Sequence, residues 1–393
     1  MRVDLAERIR QRILEREARQ LGRRLRTVEH SDGTHIVIAG RSLLSFASND
    51  YLGLAQAPEL SSALTAAIES WGVGATAAHL LGGHRQPHVD LEVEAAEWLG
   101  YERALLFSTG YAANLAVLST LLEPGDLCVQ DKLNHACLLD GARLSGALLK
   151  RYRHADTAHA ASLLQAEPQA AALIASDAVF SMDGDIAPIA ELADLAHAQR
   201  ALLYLDDAHG VGVLGEQGRG SVAAAGLDSR HVPLLMVTLG KAIGSHGALV
   251  LGSNDLIDSL MQLARPYVFS TAMPPAVAAA SLASIRLLRR ESWRQERLQA
   301  LIQQFQPAVS QLGFRLMPSR TAIQPILVGD EAEALRLSAG LEAAGLYVPA
   351  IRHPTVPKGQ ARLRVTLSAA HSDTDLARLI DALATLSESS VQT

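Results

Sequence analysis

A lysine that directly follows a buried strand is the residue in this sequence best suited to covalent chemistry. Lys241 comes a few positions after the apolar run Leu234–Thr238 and stands among small residues such as Gly240 and Gly244. Small neighbours leave room for a ligand, and a lysine removed from water loses proton affinity and can form a Schiff base with an aldehyde. An ordinary surface lysine at a strand end is the alternative interpretation.

An acidic residue at the end of another strand candidate strengthens the first interpretation. Asp206 directly follows Leu202–Leu205. Pyridoxal phosphate requires both a Schiff-base lysine and an acid that faces its pyridine nitrogen. The sequence therefore predicts this cofactor, held between Lys241 and Asp206.

The cofactor also needs an anion site for its phosphate. The segment Ser108–Tyr111 lies between the strand candidate Ala104–Phe107 and a helix. The first N–H groups of a helix have no acceptor within the helix and point toward anions, and two hydroxyls stand beside them here. We predict that the phosphate binds at this helix start.

The pattern of short apolar runs separated by helix-length segments predicts the elements that position these residues. It extends from about residue 51 to residue 285 and is typical of a parallel sheet with crossover helices, whose ligands bind beyond the carboxyl ends of the strands. The strand candidates are Ala104–Phe107, Leu127–Gln130, Ala171–Ala175, Leu202–Leu205, Leu234–Thr238 and Ala248–Leu251.

The two ends of the chain differ from this central part. Residues 1–50 contain an amphipathic helix with Leu5, Ile9 and Ile13 on one face, followed by short strands. Residues 286–393 alternate helices with the strand-like segments 323–328 and 362–366, which predicts a smaller α+β domain. We expect three units with boundaries near residues 50 and 285.

Composition excludes several functional classes. The chain has 393 residues, 49% of them hydrophobic, and a net charge of −6, which gives no electrostatic case for binding nucleic acid. Cys128 and Cys137 form no CxxC pair, so we expect buried thiols in a reducing compartment and no metal site. We find no targeting or membrane segment and expect a cytoplasmic protein.

Two local motifs suggest other chemistry. The segment Gly210–Gly215 matches the dinucleotide-binding pattern, but a glycine-rich loop follows it where a helix is needed. His84 and His88 have the spacing of a helical zinc pair, but Pro87 stands between them, which favours loop or cap histidines.

Several long motifs, in order along the chain, resemble those of the α-oxoamine synthases, which are pyridoxal-phosphate enzymes of fold type I. The likeness covers nearly the whole chain and is carried by the segments Phe180–Asp185, Asp206–Gly212, Gly215–Gly220 and Thr238–Lys241. The resemblance implies an α/β fold like that of aspartate aminotransferase: a large domain with a mostly parallel central sheet and a smaller C-terminal α+β domain.

The resemblance implies a role for five residues around the cofactor ring. Lys241 would bind the cofactor and later move the proton of the substrate Cα, and Asp206 would pair with the pyridine nitrogen. His209 and Ser181 would contact the phenolic oxygen. His135 would stack on the ring and is a candidate to polarise the acyl group of the substrate.

A further five residues are implied at the phosphate. Gly110 and Tyr111 would bind it through backbone N–H groups, and Thr238 would bind it through its hydroxyl. Ser270 and Thr271 match a segment that reaches the phosphate from the neighbouring subunit, which implies a homodimer with shared active sites.

The implied reaction is the decarboxylative condensation of an amino acid with an acyl thioester. Arg352 would hold the amino-acid carboxylate, and Asn49 and Arg23 match positions near the substrate. The run Ala350–Pro357 looks like the branch that joins L-alanine to a pimeloyl thioester, carried on CoA or on acyl carrier protein, with His353 where that branch usually has proline.

Two alternatives remain open. One is the branch that uses glycine and acetyl-CoA. The other is a non-catalytic regulator built on the same fold and sensing the cofactor, although the first 50 residues contain no helix-turn-helix of the kind that such proteins add.

Overall fold

A computed structural model describes residues 2–18, 21–22 and 25–391 of the chain. The strands of these residues are, in chain order, β1 (His30–Ser31), β2 (His35–Ile38), β3 (Arg41–Ser45), β4 (Arg103–Phe107), β5 (Leu127–Asp131), β6 (Leu148–Tyr152), β7 (Ala172–Asp177), β8 (Leu202–Asp206), β9 (Leu234–Thr238), β10 (Ala248–Gly252), β11 (Arg315–Leu316), β12 (Ile323–Gly329), β13 (Leu346–Tyr347), β14 (Ala350–Ile351) and β15 (Ala361–Thr366).

Helices cover the faces of the sheets and connect the strands. The α-helices are α1 (Leu5–Ala18), α2 (Pro58–Trp71), α3 (Gln86–Leu99), α4 (Gly110–Leu121), α5 (Ala136–Ser145), α6 (Thr157–Gln165), α7 (Ile189–Gln199), α8 (Gly220–Ala224), α9 (Asn254–Leu263), α10 (Arg265–Val268), α11 (Pro275–Arg290), α12 (Trp293–Gln311), α13 (Glu331–Ala343) and α14 (Asp373–Val391).

The central sheet contains seven strands in the order β4-β10-β9-β8-β7-β5-β6. Strands β5 to β9 pair in parallel, whereas β10 runs antiparallel to both of its neighbours, β4 and β9. All residues of β5, β9 and β10 are buried, as expected for strands covered by helices on both faces. The mostly parallel sheet predicted from the sequence is confirmed.

The register of the sheet brings the polar strand ends together. Asp177 at the end of β7 is level with Asp206 at the end of β8, and Asp206 is level with Met236 two residues before the end of β9. Because these strands are parallel, their carboxyl ends and the residues that follow them meet at one edge of the sheet. Lys241, three residues beyond β9, lies at this edge.

Two smaller sheets accompany the central one. One has the order β11-β12-β15-β14 and belongs to the C-terminal part of the chain. The other has the order β1-β2-β3-β13 and joins the N-terminal strands to Leu346–Tyr347. The pairing of β3 with β13 shows that residues 30–45 pack with the C-terminal part. The domain boundaries near residues 50 and 285 stay a prediction.

Helix α1 forms where the apolar spacing predicts it, but none of its residues is buried. Among residues 2–18, 21–22 and 25–391, no helix combines the length and the apolar character needed to cross a bilayer.

Candidate active site

A cavity of about 220 Å³ opens at the carboxyl ends of β7, β8 and β9. Eight of the predicted site residues line it: Gly110, Tyr111, His135, Ser181, Asp206, His209, Thr238 and Lys241. The remaining lining residues are Asn114, Cys137, Asp177, Ala208 and Met236.

Lys241 is half-buried and lines this cavity. Its Nζ is 2.7 Å from Nε2 of His209. Burial lowers the pKa of Lys241 to about 8, although the charges of Asp206 and Asp177 act in the opposite direction. A substantial fraction of this amine is therefore neutral near physiological pH, as a nucleophile or base requires.

His209 connects the lysine to a buried tyrosine. Its Nδ1 is 2.6 Å from the hydroxyl of Tyr51, and this hydroxyl donates to Oδ1 of Asn49 at 3.0 Å. Because the Tyr51 proton goes to Asn49, the tyrosine oxygen accepts from Nδ1–H, which leaves Nε2 of His209 to accept from the lysine. Burial, followed by the charge of Lys241, lowers the pKa of His209 well below its usual value, so the ring is neutral.

Asp206 is held by two donors. Its Oδ2 accepts from Nδ2 of Asn114 at 2.7 Å, and its Oδ1 accepts from the backbone N–H of Ala208 at 3.0 Å. The hydroxyl of Tyr204 donates to Oδ1 of Asn114 at 2.5 Å and so fixes the orientation of this amide. Donors on both oxygens stabilise an ionised carboxylate that faces the cavity.

A second buried carboxyl group lies beside Asp206. Oδ2 of Asp177 accepts from the backbone N–H of His135 at 3.0 Å. Burial and then the charge of Asp206 raise the pKa of Asp177 well above its usual value. Two neighbouring buried carboxylates repel each other, so Asp177 retains a proton more readily than an ordinary aspartate.

His135 directly precedes helix α5 and caps its first turn. Its Nδ1 accepts from the backbone N–H of Cys137 at 3.4 Å and lies 2.7 Å from the Cys137 sulfur. Cys128 and Cys137 are both free and buried, as the sequence predicts.

The start of helix α4 also lines the cavity, through Gly110 and Tyr111. The Thr109 hydroxyl caps Ala112 at 3.1 Å, and the N–H groups of Gly110 and Tyr111 in the first turn have no acceptor within the helix. Thr238 Oγ1 donates to the Gly247 carbonyl oxygen at 3.1 Å. A hydrogen bond from Thr238 to a phosphate requires this proton to turn away from Gly247.

The C-terminal part of the chain holds the loop that carries Ser181. Nε of Arg364 donates to the Ser181 carbonyl oxygen at 2.7 Å, and Nη1 of Arg362 donates to Oδ1 of Asp183 at 2.6 Å. On the other side of the loop, Asp185 is 2.8 Å from Nε2 of His154. Ser181 is thus positioned jointly by the central sheet and by β15.

Arg364 is a site residue that the sequence analysis missed. It is buried in β15, its guanidinium contacts Asn49, Thr366 and the Ser181 backbone, and its charge acts on both Lys241 and His209. Among the described residues, no carboxylate forms an ion pair with it. The sequence signal that could have found it is the alternation of arginine with apolar residues in β15. This alternation places Arg362 and Arg364 on one face of a buried strand.

Four other predicted substrate and phosphate residues, which the structure describes, do not line this cavity. Asn49 is connected to it through Tyr51 and Arg364. Arg352 lines a separate, wide cleft together with His353 and Lys358. Ser270 and Thr271 are exposed on the surface of the chain, and Arg23 lies outside the described residues. The predicted functions of these residues stay predictions.

The motifs set aside in the sequence analysis have structural explanations. Gly210–Gly215 is a turn followed by the short 3₁₀-helix Glu216–Gly218 and by no long helix. His88 lies in the first turn of α3, where its Nδ1 accepts from the backbone N–H of Arg85 at 2.8 Å, which is a capping contact.

The donor set of the cavity fits pyridoxal phosphate. It combines the Lys241 amine with its lowered pKa, the buried carboxylate of Asp206, the imidazole of His135 and a helix start that can bind an anion. No second cofactor is needed to explain these groups.

Comparison with known proteins decides the family. The model of the family "Aminotransferase class I and II" matches residues 41–383. The chain belongs to this family. Its members depend on pyridoxal phosphate, and the chain is an enzyme that uses this cofactor.

Two relatives of known name indicate which members of this family the chain is similar to. An 8-amino-7-oxononanoate synthase of Xanthomonas oryzae is 55% identical over 94% of this chain and 90% of its own length. A solved 8-amino-7-oxononanoate synthase of Francisella tularensis has a TM-score of 0.78 and 29% identity over 89% of this chain and 99% of that one.

A solved serine palmitoyltransferase of Sphingomonas wittichii is similar in fold but more distant in sequence. Its TM-score is 0.94 at 31% identity, over 98% of this chain and 99% of that one. Since a fold can host several substrates, the sequence identity to the curated relatives carries more weight for the reaction.

Proposed function

We propose that this chain condenses L-alanine with a pimeloyl thioester to give 8-amino-7-oxononanoate, CO2 and the free thiol. The observation that carries the chemistry is one cavity lined both by a half-buried lysine of lowered pKa, Lys241, and by a buried aspartate, Asp206. The 55% sequence identity to an 8-amino-7-oxononanoate synthase supports the choice of substrates. In the overall change, alanine Cα bonds to the acyl carbonyl carbon, the C–S bond breaks and the alanine carboxyl leaves as CO2.

Lys241 is assigned the proton transfers at the substrate Cα. When bound, pyridoxal phosphate supplies an aldehyde for amines and a ring that withdraws electrons from Cα. A pKa of about 8 leaves Nζ of Lys241 partly neutral, and a neutral amine can take the Cα proton and later return one. His209 accepts a hydrogen bond from Nζ at 2.7 Å and so orients the amine.

Asp206 is assigned to keep the pyridine nitrogen protonated. The two donors on its oxygens, Asn114 and the Ala208 backbone, hold it as an anion that faces the cavity. Asn114 therefore acts as a positioning residue, and Tyr204 fixes Asn114 in turn.

Arg364 is the stronger candidate for holding the carboxylate of alanine. It is buried close enough to Lys241 to influence its pKa, and no described carboxylate neutralises it. A guanidinium binds a carboxylate in a bidentate manner, which would fix the orientation of Cα relative to Nζ. Arg352, in the separate cleft, remains the alternative suggested by the family resemblance.

A second copy of the chain is proposed to complete the site. Ser270 and Thr271 lie on the surface next to Phe269, which is 72% exposed, and the segment is bridged at Thr271 to Ala78. Leu81, close to Ala78 in the chain, is 79% exposed. Two neighbouring segments thus present large apolar side chains to solvent, which a partner subunit would cover.

Product analysis tests the proposal. Purified holoenzyme is incubated with L-alanine and either pimeloyl-CoA or pimeloyl-acyl carrier protein, and the product is identified by mass spectrometry. We expect 8-amino-7-oxononanoate with at least one thioester and none with Lys241→Ala. Faster turnover with glycine and acetyl-CoA, or undiminished turnover by Lys241→Ala, would contradict the proposal.

A further inference from the structure

The thiol of Cys137 connects the two residues assigned to the ring face and to the ring nitrogen. Its sulfur lies 2.7 Å from Nδ1 of His135 and 3.0 Å from Nδ2 of Asn114. The same Nδ2 donates to Asp206 at 2.7 Å. The Cys137 side chain is buried although it lines the cavity.

Groups that can only donate or only accept fix the direction of each hydrogen bond around Cys137. Ionised Asp206 can only accept, so Asn114 must present its NH2 group to Asp206 and to the sulfur. The Tyr204 hydroxyl, which donates to Oδ1 of Asn114, fixes the same orientation of the amide. The sulfur of Cys137 therefore accepts one hydrogen bond, and its own proton is directed elsewhere.

The only other close partner of that thiol in the described residues is Nδ1 of His135. This nitrogen already accepts from the backbone N–H of Cys137 at 3.4 Å, and a backbone N–H can only donate. A proton on Nδ1 would face this N–H and would leave the thiol proton without an acceptor. Burial raises the pKa of Cys137, so the thiol keeps its proton at neutral pH.

We propose that Cys137 acts as a positioning residue that fixes the His135 ring in the tautomer with its proton on Nε2. The inference rests on the proposed function, because it explains how His135 serves the reaction. Among the described residues, Nε2 has no hydrogen-bond partner, and the ring lines the cavity. The imidazole then offers a donor to an oxygen of the acyl substrate and cannot act as a base through that nitrogen.

The tautomer can be read directly by nitrogen NMR of histidine-labelled protein, both without cofactor and as holoenzyme. His135→Gln identifies the His135 signals by their loss. We expect the Nε2–H pattern in wild type and in Cys137→Ser, whose hydroxyl donates to Nδ1 in the same way. In Cys137→Ala we expect the Nδ1–H form to rise several-fold. A wild-type ring with its proton on Nδ1, or the same tautomer populations in all three proteins, would overturn the inference.

Kinetics provide a second readout. Because one ordinary hydrogen bond is lost, Cys137→Ala should lower kcat about five- to tenfold with KM for L-alanine nearly unchanged, and Cys137→Ser should restore kcat. Cys128→Ala is the matched control, since this buried thiol contacts Gln130 and lies outside the cavity. Equal losses in Cys128→Ala and Cys137→Ala would contradict a specific effect on His135.

The two proposals can fail separately. If the wild-type protein forms no 8-amino-7-oxononanoate, the proposed function is wrong, and the NMR of the cofactor-free protein still decides the tautomer. If the product forms but the tautomer does not depend on residue 137, only the inference about Cys137 is wrong.

Discussion

The chemistry of Lys241 depends on a balance between burial and nearby charge. Burial favours the neutral amine, whereas the carboxylates of Asp206 and Asp177 favour the charged form. Burial prevails, and His209 is kept neutral by the same environment, so it can accept a hydrogen bond from the amine.

This balance predicts the pH dependence of cofactor capture by the cofactor-free protein. Only the neutral amine attacks the aldehyde, so the capture rate should rise with pH through about 8, the value to which burial lowers the pKa of Lys241. The rate is measured by the growth of visible absorbance after mixing with pyridoxal phosphate, and Lys241→Arg should show no such growth. A midpoint near 10, as for an exposed lysine, would contradict the prediction.

The two candidate arginines give the second prediction. Loss of a charge-assisted hydrogen bond costs about 1.5–3 kcal/mol, so Arg364→Ala should raise KM for L-alanine about 10- to 100-fold. Arg352→Ala should change this KM less, because Arg352 lines a different cleft. Steady-state kinetics with varied alanine measure both. A larger effect at Arg352 would indicate that Arg352 binds the alanine carboxylate, as the family resemblance implies.

The residues that could be predicted from the sequence are those next to a strand end in a recognisable motif. Lys241 and Asp206 follow apolar runs and meet in one cavity. Arg364, Tyr51 and Asn114 contribute through contacts that are remote in sequence, such as the pair Tyr51 and His209 at 2.6 Å. No local pattern around them indicates which polar group they will face.

At the level of elements, burial decided which strands could be predicted. The six predicted strands of the central sheet correspond to β4, β5, β7, β8, β9 and β10, within about two residues at each end. Strand β6 was missed because Leu148–Tyr152 is an edge strand with exposed and half-buried positions, so it has no continuous apolar run. The apolar pattern also does not indicate that β10 runs antiparallel to its neighbours.

The loop that carries Ser181 is fixed to the sheet by an ionic contact that predicts a pH effect on stability. Burial alone would lower the pKa of His154, but hydrogen bonds to Asp131 and Asp185 outweigh it and raise the pKa to about 10. A raised pKa stabilises the fold fully below the unfolded value of about 6.5 and progressively less as pH rises toward 10.

His154→Gln should therefore destabilise the protein by about 1–3 kcal/mol at pH 6, and the difference from wild type should shrink toward pH 10. Thermal unfolding at pH 6, 8 and 10 measures this. His197→Gln, at an exposed position of α7, is the matched control and should show a small difference at every pH. A His154→Gln difference that stays constant from pH 6 to pH 10 would rule out the ionic contact.

At the level of the whole molecule, the active site depends on more than the central sheet. Ser181 is held from β15 by Arg364, and the N-terminal residue Asn49 contacts the same arginine. Movement of the C-terminal part relative to the sheet would therefore displace Ser181 and the proposed carboxylate site together.

The proposed second subunit gives the last prediction. Phe269 is 72% exposed beside Ser270 and Thr271, and a glutamate there would place a charge in an apolar interface. Phe269→Glu should shift the mass in solution from about twice the chain mass of 41.8 kDa toward once that mass. It should also weaken retention of the cofactor on dilution, because the partner would no longer supply Ser270 and Thr271.

Light scattering coupled to gel filtration measures the mass, and visible absorbance after dialysis measures the retained cofactor. Leu335→Glu, an exposed leucine on α13, is the matched control and should leave both unchanged. A Phe269→Glu protein that stays dimeric would exclude this surface as the interface. A monomer that retains its cofactor as well as wild type would show instead that each chain binds the phosphate without Ser270 and Thr271 of a partner.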